Sequence, residues 1–190
     1  MNINHSIFFL YICNFLYIGS LPIIFFKKGH KNIKWWLTAA PFFLCTFFLA
    51  AAYAGFISPL IDNSKWQIIR DSVAILLSIS SISLISYTIG GHRIPLNLWH
   101  QSSNQPDRIV TYGAYQKIRH PFYSAFLLAL LGTLIFFPHV STLFTLIYGI
   151  LALRVTAIKE ERNLIKYDST YKNYMKTTGR FLPKIFNLKL

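Results

Sequence analysis

Acidic residues are nearly absent from this sequence, which holds four aspartates and two glutamates among 190 residues. Charge of either sign is scarce at 13%, against 54% hydrophobic and 17% aromatic residues. That balance excludes an ordinary soluble domain of this length. Cysteine is equally sparse. Cys13 and Cys45 both sit in apolar runs, no CxxC occurs, and the two read as small buried hydrophobes from which no redox compartment follows. The histidines, at 5, 30, 92, 100, 120 and 139, are scattered and form no HExxH, so no metal site is expected. GxGxxG, Walker and GxSxG patterns are missing, as are internal repeats and low-complexity segments.

What fills the chain is apolar runs of bilayer-spanning length. Five are expected: Ile3 to Phe26, Trp35 to Ile57, Ser72 to Gly91, Phe122 to Phe137, and Val140 to about Ile158. The first lacks a basic leading region and is long for a signal-peptide core, so it reads as a span. Pro22 is expected to kink it, and Pro41 to interrupt the second run. The third is rich in serine, at 72, 78, 80, 81, 83 and 86, which suits close helix packing; a wet cavity wall is the other reading. Pro138-His139 joins the last two runs too tightly for anything but an antiparallel hairpin. Beyond Glu161, Leu164, Tyr167, Tyr171 and Tyr174 recur at helical spacing, as in a helix lying on a membrane surface. The expected fold class is therefore all-α. It is a polytopic membrane protein with about five transmembrane helices and a C-terminal cytosolic interfacial helix. Length allows one domain over 1–190, with three N-terminal spans in 1–91 and the polar motifs in 92–190.

A net charge of +13 invites a nucleic-acid reading, but the basic residues form no single patch. With five spans, one side of the membrane receives residues 27–34, 92–119 and 154–190. These segments hold four, four and nine of the 19 lysines and arginines. The positive-inside bias then places the N-terminus outside and the C-terminal clusters in the cytosol. Anionic lipid headgroups are the expected partners of that basic rim, and nucleic acid is not.

Two polar clusters carry the chemistry. The first is TYGAYQKIRHPFY, Thr111 to Tyr123, at the entrance to the fourth run. Proline suits the first position of a helix, so Pro121 marks its start, with Arg119 and His120 just outside. The free N–H groups of that first turn favour an anion such as a carboxylate. Arg119 and Lys117 also fit simple headgroup anchors. Tyr112, Gly113, Tyr115, His120 and Tyr123 together form an aromatic and polar group around a glycine that lets backbone approach closely. The second cluster is RVTAIKEERNL, Arg154 to Leu164. Glu160 and Glu161 are the only glutamates, and none of their neighbours three or four positions away is basic, so local ion pairing does not account for them. Arg154 and Glu161, seven residues apart, share a helix face. Such a face suits a ligand bearing both an ammonium and a carboxylate, and the doubled hairpin brings the clusters to one side of the membrane.

At these clusters the sequence resembles the isoprenylcysteine carboxyl methyltransferase family and, more loosely, the phospholipid methyltransferases. The resemblance rests on Gly113, Tyr115, Arg119-His120-Pro121 and Tyr123, then Glu160-Glu161 and Leu164, Tyr171 and Tyr174, and finally Arg180-Phe181-Leu182-Pro183. It covers about the last hundred residues. Departures from the family pattern fall at Ala125, Tyr167-Asp168 and Gly179. The resemblance implies S-adenosylmethionine as methyl donor, held on the cytosolic side by Gly113, Tyr115, Arg119, His120, Tyr123, Glu160 and Glu161. Arg154 and Arg93 match arginines placed near the reacting group and are the expected catalytic residues. The expected function is methyl transfer to a lipophilic small-molecule or lipid-anchored acceptor, an isoprenylcysteine-like carboxylate among the candidates. Two rivals stand beside it: a sterol-reductase-like oxidoreductase using NADPH, and a non-enzymatic membrane scaffold or transporter.

Overall fold

The computed structural model describes residues 4–25, 33–61, 64–91 and 109–184. Six helices follow one another: α1 (His5–Phe25), α2 (Ile33–Tyr53), α3 (Gln67–Gly91), α4 (Pro121–Phe136), α5 (Val140–Tyr167) and α6 (Tyr171–Thr177). Short 3₁₀ turns lie at Ser64–Trp66 and Gly113–Gln116. No strand is present among the described residues, consistent with the all-α expectation. Three helices have segments long and apolar enough to cross a bilayer: Trp36–Tyr53 of α2, Gln67–Gly91 and Val140–Tyr167. His5–Leu21 and Pro121–Phe136 are shorter apolar helices. The chain is thus a multi-pass membrane protein. Large apolar side chains such as Leu16, Phe47, Leu76 and Leu151 point outward, as lipid-facing residues do.

α3 packs most extensively on α4, α2 on α5, and α4 on α5. The inward stripe of α1 follows helical spacing through Tyr11, Asn14, Phe15, Ile18 and Leu21. Cys13 falls on the opposite side of that helix and is exposed, which corrects the expectation that both cysteines are buried; Cys45 is buried, 3.6 Å from the Thr145 hydroxyl. The serines of α3 serve packing. The Asn14 amide donates to Ser78 Oγ at 3.0 Å, Ser81 Oγ donates back to Asn14 Oδ1 at 3.4 Å, and all three side chains are buried. Without water, a buried amide needs such partners on a neighbouring helix. Pro41 does not interrupt α2, which is continuous through it. The proline is buried against α5 beside Gly149.

The hairpin forms as expected. Phe137 ends α4, and His139 caps α5 by accepting from the Ser141 N–H at 3.1 Å through Nδ1. α5 then continues through both glutamates to Tyr167. The amphipathic stretch beyond Glu161 is therefore not one surface helix. Its first part, Leu164 to Tyr167, extends α5, and α6 is a separate piece of seven residues. The break comes from Asp168, whose Oδ1 accepts from the Thr170 N–H at 2.8 Å and its hydroxyl at 2.6 Å, an Asx turn that competes with helix.

Close packing of α1, α3 and α4 depends on Gly132. A Cβ there would strike the Tyr11 hydroxyl, which donates to the Ala74 carbonyl at 2.7 Å, and would sit 3.0 Å from Leu77 Cβ. Gly132→Ala is expected to destabilise the protein by about 1–3 kcal/mol through overpacking. The melting temperature in detergent reads this loss, and Tyr11→Phe in the same chain should recover part of it.

Candidate active site

Three segments converge at one end of the α4–α5 hairpin. The first is the approach to α4, residues 111–120. Its turn opens on Gly113 at φ +63°, a left-handed conformation in which a side chain is strained. An added Cβ would meet open space, so backbone conformation, and not close approach as expected from sequence, is what calls for glycine there. Pro121 occupies the first turn of α4 with His120 as the N-cap residue, as its sequence position predicts.

The second segment is the part of α5 that outruns α4. At 28 residues α5 is about 42 Å long against about 24 Å for the 16 residues of α4. The buried stripe of α5 runs Gly149, Leu153, Ala157, Glu161, so a carboxylate takes the next place in an apolar series.

The third segment follows α6. From Thr178 the chain turns extended and lies alongside residues 117–120 in a short parallel bridge between Ile118 and Gly179. Gly179 N–H donates to the Lys117 carbonyl at 3.2 Å, Arg119 N–H to Gly179 at 2.8 Å, and His120 N–H to Arg180 at 3.1 Å. Ser124 Oγ donates to the Phe181 carbonyl at 2.6 Å. A side chain at Gly179 would run into the carbonyl of Leu182, so only glycine permits this fold-back.

The side chains carried by these segments form one network. Glu161 Oε1 accepts from Arg119 Nε at 2.9 Å, and its Oε2 from Arg180 Nη2 at 2.7 Å. His120 lies between the glutamates, with Nε2 3.3 Å from Glu161 and Nδ1 3.2 Å from Glu160. The Tyr123 hydroxyl donates to Glu160 Oε1 at 2.7 Å. Two ring nitrogens that each face a carboxylate oxygen both act as donors, which describes an imidazolium. Burial alone would lower the pKa of His120. The hydrogen bonds to Glu160 and Glu161, together with their charges, outweigh burial and hold it above the usual 6.5. Hydrogen bonding to Glu161 likewise raises Arg180.

An aromatic wall lines the network. The His120 and Tyr123 rings stack in parallel at 5.2 Å, with Phe181 edge-on to both. Tyr174 donates through its hydroxyl to the Tyr115 carbonyl and packs against Tyr171. Burial pushes Tyr174 up to about 12.

Of the residues expected from sequence, Arg119, His120, Tyr123, Glu160 and Glu161 are in direct mutual contact, and Tyr115 and Gly113 lie on the adjoining turn. Arg154 is not brought in. It is exposed, and no ion pair joins it to either glutamate among the described residues. The reason is height. Glu161 is buried by the layer that residues 117–120 and 178–181 lay over the hairpin, and Arg154 lies about 10 Å back along the helix from that layer. Arg93 lies outside the described residues. Arg180, Ser124 and Phe181 have contacts that spacing did not foretell. The run Arg180-Phe181-Leu182-Pro183 was the available signal, but distance in sequence hid its partner.

The network thus gathers two carboxylates, two guanidiniums and an aromatic surface at one end of the hairpin. Residues 88–166 match the family described as isoprenylcysteine carboxyl methyltransferase (ICMT). No curated protein matches the chain.

Ionised His120 adds stability in full below about pH 6.5, its unfolded value, and that contribution is lost as pH rises through the raised folded value. Thermal melting in detergent should therefore fall as pH climbs above neutrality. His120→Gln should flatten that dependence.

Proposed function

We propose that this chain, whose residues 88–166 match the isoprenylcysteine carboxyl methyltransferase family, belongs to that family, and that the network around Glu160 and Glu161 is its S-adenosylmethionine site. The reaction is S-adenosylmethionine-dependent methyl transfer to a lipophilic, isoprenylcysteine-like acceptor. The family match selects this over the nicotinamide-dependent and non-enzymatic alternatives.

One observation carries the assignment of the site: a partly buried carboxylate with unused acceptor capacity lies beside stacked aromatic rings. Glu160 takes one hydrogen bond on each oxygen, from Tyr123 and His120. An ionised carboxylate accepts about four, so room remains for an ammonium. The faces of Tyr123 and Tyr115 are suited to a neighbouring cation through the ring quadrupole, and His120 fixes the carboxylate that balances the charge. The donor set thus fits the cofactor's amino-acid end. Bound there, S-adenosylmethionine supplies a methyl group already activated on a sulfonium.

The chain's own contribution is positioning and the exclusion of water. Tyr123 and His120 hold Glu160 in place. Gly113 and Tyr115 shape the turn beside it, and Arg119 fixes Glu161. Arg154, exposed at the membrane-embedded side of the cluster, is placed to attract the carboxylate of an acceptor that enters sideways from the bilayer, and Arg93 is assigned the same task. The orientation that suits this reading has five spans, the N-terminus outside, and the basic C-terminal segments, α6 among them, on the cytosolic surface.

Equilibrium binding of S-adenosylhomocysteine to the purified protein tests the site. The wild type should bind, while His120→Ala and Glu160→Ala should each weaken binding at least tenfold. Absence of binding by the wild type would end the cofactor claim. Membranes incubated with methyl-labelled cofactor and a prenylcysteine should yield a labelled, base-labile ester, and Arg154→Ala should raise KM for the acceptor without changing that for the cofactor. Single cysteines introduced at Lys176 and at Ile61, in a chain lacking Cys13 and Cys45, test the orientation. An impermeant reagent added outside intact cells should label position 61 and not 176.

A further inference from the structure

The two adjacent glutamates face different demands. Glu161 is consumed. Its Oε1 meets Arg119 Nε at 2.9 Å, Arg180 Nε at 3.1 Å and His120 Nε2 at 3.3 Å. Its Oε2 meets Arg180 Nη2 at 2.7 Å and Nε at 3.2 Å. Two guanidiniums and an imidazole fill the lone-pair directions of one carboxylate, whose side chain is 3% exposed. No acceptor site is left for an incoming ammonium, and the local charge there is already positive. Among the described residues Glu160 meets no arginine. Among them only the Tyr123 hydroxyl and one edge of His120 hydrogen-bond to it, and it retains somewhat more exposure, 11%.

We propose that the adjacent glutamates divide the work: Glu160 alone receives the cofactor's α-ammonium, while Glu161 is a positioning residue that Arg180 locks to the C-terminal strap, residues 178–181. This rests on the cofactor reading above. The division follows from where the arginines arrive. Arg119 comes from the approach to α4. Arg180 comes from a strap fixed by its backbone to residues 117–120, and its fork grips Glu161 through two nitrogens. Glu161 therefore ties α5, the α4 entrance and the strap at one point. It also holds His120 by Nε2, which aims Nδ1 at Glu160. Arg180 and Glu161 act on the ligand only through that chain of contacts, and neither touches it.

The test uses two probes on the full-length protein in detergent: S-adenosylhomocysteine and its analogue lacking the α-amino group, both titrated by calorimetry. The wild type should prefer the amino compound by about tenfold or more, as a charge-assisted hydrogen bond requires. Glu160→Gln should abolish that preference. Arg180→Met and Glu161→Gln should weaken both probes in parallel, keep the preference, and leave the number of sites per folded chain unchanged. A merely structural role would lower the number of competent sites instead. Arg180→Lys should restore part of the affinity, though not all, since an ammonium cannot reproduce the fork. If Glu161→Gln fails to fold, the Arg180 variants carry the same comparison. Preference that survives Glu160→Gln, or vanishes with Arg180→Met, would overturn the division. A wild type that binds both probes equally would overturn it too. A wild type that binds neither would remove the cofactor reading itself, and the division with it.

Discussion

A carboxylate taken out of water has to find cations, and Glu161 has found two arginines and a histidine. The idealised cost of moving such a group into a low-dielectric interior is of order 20 kcal/mol, and several kcal/mol remain after relaxation. Nothing local offsets it, because α5 offers Glu161 no basic neighbour one turn away in either direction. The compensation arrives from 19 to 42 residues away in sequence. Two separate segments must therefore close on α5 before Glu161 is tolerable. This requirement ties the hairpin, the α4 entrance and the C-terminal strap into one body.

The membrane makes the rest of the architecture serve that end. Along the helices, buried polar side chains find partners either in their own helix, as Thr133 does with the Ala129 carbonyl, or across helices, as Asn14 does with Ser78 and Ser81. The bundle is a platform whose apolar surfaces face lipid. The polar network lies at one end of the hairpin, where α5 outlasts α4 by nearly half its length and residues 117–120 and 178–181 fold over it. Arg154 is exposed and Glu161 enclosed, although they lie two turns apart on one helix.

Backbone conformation supports the site at two glycines for two different reasons. Gly113 holds a positive φ ahead of the α4 entrance, and Gly179 lets the strap fold against the carbonyl of Leu182. Gly113 precedes the short parallel bridge, and Gly179 forms it with Ile118, next to Arg180 and Arg119. The sequence departs from the family pattern at Gly179, and the fold-back there explains why glycine serves in this chain.

Composition and periodicity by themselves determined that this is a helical membrane protein, because apolar run length against bilayer thickness is a one-dimensional matter. They also located the hairpin from Pro138-His139, the α4 start from Pro121, and the glutamate pair as residues lacking local partners. Motif order pointed to the family. Periodicity could not say that the stretch after Glu161 breaks at Asp168, because an Asx turn and a helix compete over a few tenths of a kcal/mol that spacing does not measure. It could not tell the inward from the outward cysteine, nor see that Arg154 stays apart. Above all it could not distinguish Glu160 from Glu161, which are chemically identical and adjacent. Their difference lies wholly in which side chains reach them from distant parts of the chain, and only the folded arrangement of α4, α5 and the C-terminal strap decides that.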